Sequence, residues 1–395
     1  MSTDARGREG VTYGVWGDLV GQDAAVETLR RAVRGDAHAM SHAWLVVGPP
    51  GSGRSNAARA FAAALQCERP DGVEAGCGRC NGCRTALSGA HPDVTLVRTE
   101  QLSIGVDEVR DLVRRAAMSP TMRRRQVIVV EDADRVTERG ADALLKSVEE
   151  PARATVWILC APTSDDVVVT IRSRCRLLSL ATPTTDAVAR LLVSRDGIEP
   201  GLASEAARAA QGHVGRARVL ARDETARERR REILTIPFGL TSLSACLGAA
   251  ARLVEMCSAE ATAATERVDA RERAALEEAL GFGTRGARPR QATAAVRELE
   301  EQQRARAKRF QRDAIDRALT ELTGFYRDLL SLQTRSGAAL VNDELGPRLA
   351  TLARRSTPES TLRRIDALLA CRTALEGNVA PLLALESTMI TLVEA

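Results

Sequence analysis

A glycine-rich loop at residues 48–55, with the sequence Gly-Pro-Pro-Gly-Ser-Gly-Arg-Ser, constrains the fold of this chain more than any other feature. The loop follows an apolar run at residues 43–47 and precedes an alanine-rich segment, residues 56–65, that is predicted to be helical. In this strand, loop and helix order, the loop amides and the helix N-terminus form a nest for anions. The residues predicted to contact a phosphate group are Gly48, Gly51, Ser52, Gly53, Arg54 and Ser55. The chain is therefore expected to contain an α/β unit with this loop at the carboxyl end of a buried strand.

Arg54 stands at the position where this motif carries a lysine. Lysine is a compact ammonium that reaches the β- and γ-phosphates, whereas the arginine side chain is longer, planar and forked, so it cannot take the same pose. Composition gives a competing explanation, because of 56 basic residues only Lys146 and Lys308 are lysine. The loop is predicted not to support efficient ATP hydrolysis, and the sequence leaves open whether ATP or ADP still binds there.

Length and composition restrict the class of protein. A chain of 395 residues is too long for one compact core and fits two or three domains. The N-terminus is polar and no apolar run approaches the roughly 20 residues of a membrane span, so a cytoplasmic protein with no membrane partner is expected. A net charge of +4 is close to balanced, so no long basic arm for tight nucleic-acid binding is indicated. An aromatic content of 3% argues against a stacking platform for single-stranded bases. Any DNA contact is therefore expected to involve the phosphate backbone.

Four of the nine cysteines cluster at residues 67–83 with the spacing C-x9-C-x2-C-x2-C. Cys67, Cys77, Cys80 and Cys83 are separated by small and polar residues that cannot build a core. Four thiolates at such spacing can close a tetrahedral Zn²⁺ shell without a vacancy for water, so the predicted site is structural and not catalytic. Four incidental thiols are the alternative. The other five cysteines have apolar neighbours and are expected in the core: Cys160, Cys175, Cys246, Cys257 and Cys371.

Strands and helices are predicted to alternate behind the loop. Residues 94–97 form a short apolar segment, and residues 106–117 carry apolar side chains at helical spacing. Unbroken apolar runs at 127–130 and 156–160 are typical of strands buried on both faces of a parallel sheet, and a helix is expected between them. This order predicts a doubly wound parallel α/β domain that ends near residue 180.

Only helices are predicted beyond residue 183. Short helices are expected up to residue 235, and long helices beyond residue 240. Residues 258–312 are dense in alanine, glutamate and arginine, which is typical of solvated helix faces, and a mobile linker is predicted at residues 281–289. An all-α terminal region of this kind favours self-assembly over catalysis.

Several short motifs occur in an order and spacing that resemble bacterial sliding-clamp loaders, which are members of the AAA+ superfamily. The motifs are Val20-Gly21-Gln22, Ser41-His42-Ala43, the phosphate loop, the four cysteines, Ala143-Leu144-Leu145-Lys146, Glu149-Glu150-Pro151 and Ser173-Arg174-Cys175. The match is strong over residues 16–180 and moderate over 181–235, and beyond that it rests on helical character and on the ending of the chain. A cysteine module inside such a domain, together with Ser173-Arg174-Cys175, is specific, whereas the phosphate loop alone would not be.

The resemblance implies three domains. Residues 1–182 would form an AAA+ α/β domain, a doubly wound parallel sheet with an inserted zinc module at 67–83. Residues 183–238 would form a small helical lid, and residues 239–395 a helical collar for oligomerisation with a charged insertion around 258–312. The implied partners are gamma or tau motor subunits, the delta subunit and, through them, the sliding clamp and primed DNA.

Arg174 matches the arginine by which a clamp-loader subunit completes the ATP site of its neighbour. A guanidinium offered from another subunit neutralises charge on the transferring phosphoryl group, so the implied role makes physical sense. The alternative is a surface arginine that makes an ordinary salt bridge.

Two further positions depart from the pattern of the hydrolysing subunits. The strand that would hold magnesium ends in Glu131-Asp132 instead of Asp-Glu, and Gly215 stands where a motor carries a sensor arginine. An ångström-scale misplacement of a catalytic group can cost about a hundredfold in rate. The expected function is therefore a non-motor clamp-loader subunit without intrinsic ATPase activity, a component of the DNA polymerase III holoenzyme. The alternatives are a gamma/tau-type ATP-hydrolysing motor and a zinc-stabilised DNA-binding regulator.

Overall fold

The chain folds into two compact units, one ending at Arg218 and the other beginning at Val219. The computed structural model describes residues 14–69, 75–99, 103–122, 124–279 and 290–394. The division into domains 1–182, 183–238 and 239–395 stays a prediction.

A parallel sheet forms the centre of the first unit. Its strands are β1 (Ala43–Val47), β2 (Val94–Val97), β3 (Gln126–Val130), β4 (Thr155–Ala161) and β5 (Arg176–Ser179). They pair in the order β2-β3-β4-β1-β5, and every pairing is parallel. The strands β1, β3 and β4 are buried along their whole length, which explains their unbroken apolar runs. The predicted parallel α/β architecture is confirmed.

Helices cover both faces of this sheet. They are α1 (Asp23–Arg34), α2 (Arg54–Leu65), α3 (Asn81–Ser88), α4 (Val106–Ala116), α5 (Glu138–Glu149) and α6 (Val169–Arg172). Successive side chains of β1 point to opposite faces, so Trp44 joins the apolar cluster of α1 and α2, whereas Leu45 joins that of α4 and α5. Trp44 and Phe61 meet edge to face with ring centroids 5.2 Å apart, a geometry worth about 0.5–1.5 kcal/mol beyond burial.

The elements that were not predicted from the sequence include two short ones, β5 and α3. The edge strand β5 has only four residues, and its Leu177 is exposed, so no continuous apolar run marks it. The helix α3 begins within the polar cysteine segment, where Cys80 is its N-cap and accepts at Sγ from the amide of Cys83 at 3.4 Å. Both elements are too short for periodicity to reveal them.

Three short helices follow the sheet, α7 (Thr185–Ser194), α8 (Pro200–Ala210) and α9 (Val214–Arg222), the last of which runs across the boundary between the units. Side chains cap the first two, Thr184 for α7 and Glu199 for α8. Asp18 pairs with Arg195 at 2.8 Å and with Arg218 at 3.2 Å. These pairs hold the start of the described chain against α7 and α9.

Helices make up the second unit in the part of it that the structure describes. They are α10 (Glu224–Gly239), α11 (Leu243–Ala279), α12 (Arg290–Thr334), α13 (Gly346–Ala353), α14 (Pro358–Glu376) and α15 (Pro381–Glu394). Within the charged stretch at 258–312, Arg306 of α12 pairs with Asp269 at 2.6 Å and Glu272 at 2.7 Å of α11. The linker predicted at 281–289 lies outside the described residues. Over the described ranges, no helix has both the length and the apolar character needed to cross a bilayer.

Candidate functional site

The phosphate loop connects the carboxyl end of β1 to the first turn of α2. Gly51 and Gly53 adopt φ angles of +85° and +95°, which residues with side chains rarely adopt, and Gly53 is the N-cap of α2. The amide of Gly48 donates to the carbonyl of Pro162 at 3.1 Å and so fixes the start of the loop. Because the N-cap has no side chain, the first amides of α2 can receive an anion.

Gln22 ties the phosphate loop to the end of β5. Its Nε2 donates to the carbonyls of Ser52 at 3.2 Å and Ala181 at 2.6 Å, and its Oε1 accepts from the amide of Ala181 at 3.1 Å. The residue is 4% exposed. A buried amide with its donor and acceptor groups engaged fixes the loop against the sheet, since losing these bonds would leave buried polar groups unpaired.

His213 packs directly against the crest of the loop. A Cβ atom added to Gly51 would lie 2.3–2.4 Å from Cγ, Cα and Cβ of His213, so only glycine fits there. The same ring caps α9, because its Nδ1 accepts from the amide of Arg216 at 3.2 Å. A Cβ atom at Gly215, where a motor carries its sensor arginine, would lie 3.4 Å from Cε1 of this histidine. A helix-capping histidine therefore covers the loop from the side of α9.

Replacing Gly51 with alanine is expected to lower the free energy of unfolding by about 2–5 kcal/mol. A left-handed φ costs a residue with a side chain about 1–2 kcal/mol, and forced repacking against His213 adds about 1–3 kcal/mol. Gly35→Ala is the matched control, because Gly35 has a φ of +78° but no atom within 4 Å of the added Cβ. Urea unfolding of both variants measures the difference. Equal destabilisation would mean that His213 moves aside without cost.

An ion pair between Glu131 and Arg59 lies beside the phosphate loop, where the site carries its acidic residues. Glu131 follows β3, its side chain is 6% exposed, and its Oε1 accepts from Nε of Arg59 on α2 at 2.7 Å. Burial raises the pKa of Asp134, and the charge of Asp132 adds to this shift. The carboxylate of Glu131, which would approach a magnesium ion in a hydrolysing subunit, is thus already neutralised by an arginine of the same chain.

Arg54 begins α2, and within the part of the chain that the structure describes one of its donors has no acceptor. Among the described residues, its NH1 atom and the Oγ of Ser52 are buried without a hydrogen-bond partner. Burial raises the pKa values of Asp134 and of Cys160 on β4, and the charge of Arg54 opposes both shifts. Buried donors normally find an acceptor, so an anion in the loop would satisfy the guanidinium of Arg54.

The structure brings the four predicted metal ligands together. The Sγ atoms of Cys67, Cys77, Cys80 and Cys83 all lie within 4.8 Å of one another, and those of Cys67 and Cys80 are 4.0 Å apart. A tetrahedral ion with Zn–S bonds of about 2.3 Å needs S–S separations of about 3.8 Å, so a small contraction would close the shell. Backbone amides donate to the sulfurs of Cys77 and Cys80 at 3.4–3.5 Å. These four residues can therefore coordinate one cation in a tetrahedral geometry.

Two of these thiols are already biased toward the thiolate. Partial burial raises the pKa of Cys77, but the amides of Arg79 and Cys80 donate to its sulfur and bring the pKa down to about 6. The pKa of Cys67 is also lowered by backbone amides, against the opposing effect of burial. Burial raises the pKa of Cys83. A bound cation would displace the proton of Cys83, because metal ligation deprotonates thiols.

The cysteine module also anchors the start of the described chain. The amide of Val15 donates to the carbonyl of Gly76 at 2.8 Å, and Nε1 of Trp16 donates to that of Ala75 at 3.2 Å. Trp16 is 6% exposed and belongs to the apolar cluster of α1 and α2. Unfolding of the cysteine module would therefore break the contacts of Trp16 and expose its ring to solvent.

The remaining cysteines lie in or against the core, as predicted. Cys160, Cys246, Cys257 and Cys371 are buried, and Cys175 is half-buried against the cluster of α4 and α5. Burial raises the pKa values of Cys175 and Cys257 to about 12. Such thiols are protonated at neutral pH and therefore weak nucleophiles.

Arg174 lies between α6 and β5 and is held by its own chain. Its Nε donates to Oε1 of Glu149 at 2.6 Å, and its NH2 pairs with the same carboxylate. Its NH1 donates to the carbonyl of Thr170 at 2.7 Å and to Oγ of Ser173 at 3.2 Å. The side chains of Arg174 and Glu149 are 36% and 41% exposed. The pair is a surface salt bridge, and the guanidinium remains accessible to another molecule.

The amino-terminal part of the chain matches a known family. A family model described as "DNA polymerase III, delta subunit" matches residues 21–184. Residues 21–184 are therefore similar to this delta-subunit family. The resemblance drawn from the motifs of residues 16–180 is thereby confirmed.

The proteins to which this chain is similar include two kinds of DNA polymerase III subunit. The delta' subunit of DNA polymerase III from Pseudomonas aeruginosa is 38% identical over 153 residues, which cover 38% of this chain and 46% of that protein. The tau subunit of DNA polymerase III from Bacillus subtilis is 31% identical over 171 residues, which cover 43% of this chain and 30% of that protein. The chain spans less than half the length of these two relatives.

A solved structure from Thermotoga maritima, a DNA polymerase III gamma subunit-related protein, aligns with 74% of this chain and 99% of its own. The sequence identity is 17% and the TM-score is 0.34. A likeness at this level adds nothing to the fold described above.

Three side chains of residues 21–184 belong to the site although the sequence did not single them out for it. They are Gln22 at the phosphate loop, Arg59 on Glu131 and Glu149 on Arg174. Gln22 and Glu149 lie inside motifs that were visible in the sequence, so their positions carried a signal and only their roles were missed. Arg59 is one arginine in an arginine-rich chain, and no local pattern marks it.

Proposed function

We propose that this chain is a non-motor subunit, of the delta-prime type, in a replicative sliding-clamp loader. Residues 1–182 would be its AAA+ domain, residues 183–238 its lid, and residues 239–395 a collar that joins it to other subunits. Its partners would be gamma or tau motor subunits and the delta subunit, and through them the sliding clamp and primed DNA. The family match and the delta' relatives support this proposal.

The observation that carries the non-motor assignment is the ion pair between Glu131 and Arg59. ATP hydrolysis by this class of site needs a free carboxylate to help bind magnesium and a lysine on the β- and γ-phosphates. Here the carboxylate is buried and paired at 2.7 Å, and Arg54 stands in place of the lysine. Gly215 supplies no sensor arginine. Each feature removes a different element of a hydrolytic site.

The proposal assigns to Arg174 the completion of an ATP site on a neighbouring motor subunit. A guanidinium that is 36% exposed and fixed at the surface by three residues can be presented to another chain. Its planar fork suits a transferring phosphoryl group. The role would be catalytic for the neighbour and not for this chain.

The proposal also assigns one structural Zn²⁺ ion to Cys67, Cys77, Cys80 and Cys83. Four sulfurs within 4.8 Å of one another and two lowered thiol pKa values support it. Four thiolates leave no open position on a tetrahedral ion, so the metal would order the loop between α2 and α3 and supply no reaction chemistry.

Two features of the loop at residues 48–55 have opposite effects on nucleotide binding. The buried donor of Arg54 that lacks an acceptor favours ATP or ADP, whereas His213 against Gly51 crowds the crest of the loop. Nucleotide content of the purified chain, measured after denaturation, shows whether the loop binds ATP or ADP or is blocked by His213.

The purified chain is expected to show no ATPase activity above background. Restoring the lysine alone, with Arg54→Lys, should not produce turnover, because Glu131 stays paired with Arg59 and Gly215 is unchanged. Steady-state phosphate release with magnesium and ATP measures both variants. Native turnover of about 1 per second or faster would instead support a gamma/tau-type motor, the candidate that the tau relative favours.

Reconstitution tests the proposed function as a whole. The chain is mixed with motor subunits, delta subunit, sliding clamp and primed DNA, and clamp loading is measured with ATP. Loading is expected to require this chain, and the matched control is the same mixture without it. Full loading in its absence would contradict the proposal.

A further inference from the structure

We propose that Glu149 is a positioning residue that holds Arg174 in a resting position, from which a phosphate group on a neighbouring subunit must displace it. The inference rests on the proposed function of Arg174 and names the residue that controls its availability. Four hydrogen-bonding contacts around one guanidinium carry it.

The guanidinium of Arg174 is nearly saturated by its own chain. Arginine has five N–H donors. Nε and NH2 both contact Oε1 of Glu149, and NH1 donates to the carbonyl of Thr170 and to Oγ of Ser173. One N–H of NH2 is left. Bidentate contact with a phosphate uses two parallel N–H donors, so at least one of these contacts must be released before Arg174 can engage.

Glu149 is the contact with which a phosphate competes. The acceptors on Thr170 and Ser173 are neutral, whereas the carboxylate of Glu149 compensates the positive charge of Arg174. This carboxylate is 41% exposed, and exposed ion pairs are weak because water and salt screen them. A phosphate carries more negative charge than a carboxylate, and a subunit interface that excludes water would strengthen its attraction to Arg174, so it can replace the carboxylate.

The position of Glu149 at the end of its helix favours its pairing with Arg174. Glu149 is the last residue of α5, where the helix dipole disfavours an acidic side chain. The charge of Arg174 offsets this disadvantage when the two side chains are paired. Release of Arg174 to a neighbour would therefore leave Glu149 in an unfavourable position, which returns Arg174 to its resting contact when the phosphate leaves.

Steady-state ATPase of the complete clamp-loader complex tests this inference. Glu149→Gln keeps the shape of the side chain and removes its charge. At the ATP site that Arg174 completes, the variant is expected to lower the KM for ATP about two- to fivefold, the range that an exposed ion pair spans, with kcat unchanged. The KM of the whole complex should fall by less, because the other interfaces keep their own arginines. The difference in apparent KM between Glu149→Gln and the wild type should become smaller as the salt concentration is raised, because salt screens the Glu149 charge. Glu150→Gln is the matched control, because Glu150 is a neighbouring exposed carboxylate.

A second pair of variants shows whether Glu149 acts through Arg174. In an Arg174→Ala background, Glu149→Gln should change nothing. An unchanged KM in the single variant, a fall in kcat toward the level of Arg174→Ala, or an effect that persists in the double variant would each overturn the inference. If Arg174→Ala alone leaves ATPase and clamp loading at wild-type levels, the proposed function of Arg174 fails as well, and the two failures are thereby distinguished.

Discussion

Replacing Arg174 with alanine is expected to remove most clamp loading by the assembled complex, while the chain still folds and assembles. An arginine finger is worth about 10³–10⁵ in turnover at the one interface that it serves. The interface next to this chain would therefore lose nearly all of its turnover. Other interfaces keep their own arginines, so total ATPase should fall only in part, and clamp loading, which needs the interfaces to act together, should fall by about tenfold or more.

Three variants in the reconstituted complex make this test specific. Arg174→Lys should fail nearly as badly as Arg174→Ala, because the forked geometry is required and not charge alone. Arg172→Ala is the matched control, since Arg172 is also 36% exposed and pairs with a carboxylate, that of Asp165. Either alanine variant should lose only about 0.2–1 kcal/mol of stability, the value of an exposed ion pair. Wild-type ATPase and loading with Arg174→Ala, with assembly confirmed, would reduce Arg174 to an ordinary surface residue.

One zinc ion per chain is expected, and its removal should unfold the cysteine module. Structural zinc binds zinc-finger peptides with about 10–16 kcal/mol, and that binding energy is folding energy for the segment it orders. We expect Cys80→Ser to lose the metal and to lower stability by about 4 kcal/mol or more, because its sulfur would be a ligand and is also the N-cap of α3. The core sheet should persist, because the apolar cluster on its other face contains none of these four cysteines.

Trp16 reports on this loss, because its Nε1 donates to the carbonyl of Ala75 beside the module. Elemental analysis gives the metal content, and a red shift of tryptophan emission on Cys80→Ser or chelation gives the exposure of Trp16. The shift should vanish in a Trp16→Phe background. Cys175→Ser, a thiol outside the cluster, is the control and should retain zinc. Protein purified without chelator that contains no zinc would refute the assignment.

Zinc affinity should also fall on acidification. The pKa of Cys77 is about 6, so at neutral pH this ligand is already a thiolate. Its folded-state pKa lies below the unfolded value, so its contribution to stability is present above the unfolded pKa and is lost as pH falls through about 6. Zinc release, measured with a chromogenic chelator as a function of pH, should therefore increase sharply below about pH 6. Release that is independent of pH would argue against Cys77 as a ligand.

The sheet and the cysteine cluster could be predicted because local signals encode them. The continuous apolar runs of β1, β3 and β4 reflect burial on two faces, which the structure confirms. The edge strand β5 escaped prediction because half of its side chains face solvent. The cysteine spacing marked its four residues correctly, and α3, which begins among them, was missed because it starts in a polar segment.

The state of the phosphate loop could be predicted only in part. Arg54 and Glu131-Asp132 were visible as departures from a hydrolytic pattern. That Arg59 neutralises Glu131, across a sequence separation of 72 residues, was not visible, because arginine is common along the whole chain.

The sequence by itself determined the α/β class of the first unit, the position of the phosphate loop and the identity of the four clustered cysteines. These properties depend on periodicity and spacing within short segments, and such information is local. Only the tertiary structure decided that Glu131 is paired with Arg59, that Arg174 rests on Glu149 and that His213 covers Gly51. These contacts join residues far apart in sequence, and they depend on how the helices pack against the sheet and on how α9 meets the loop.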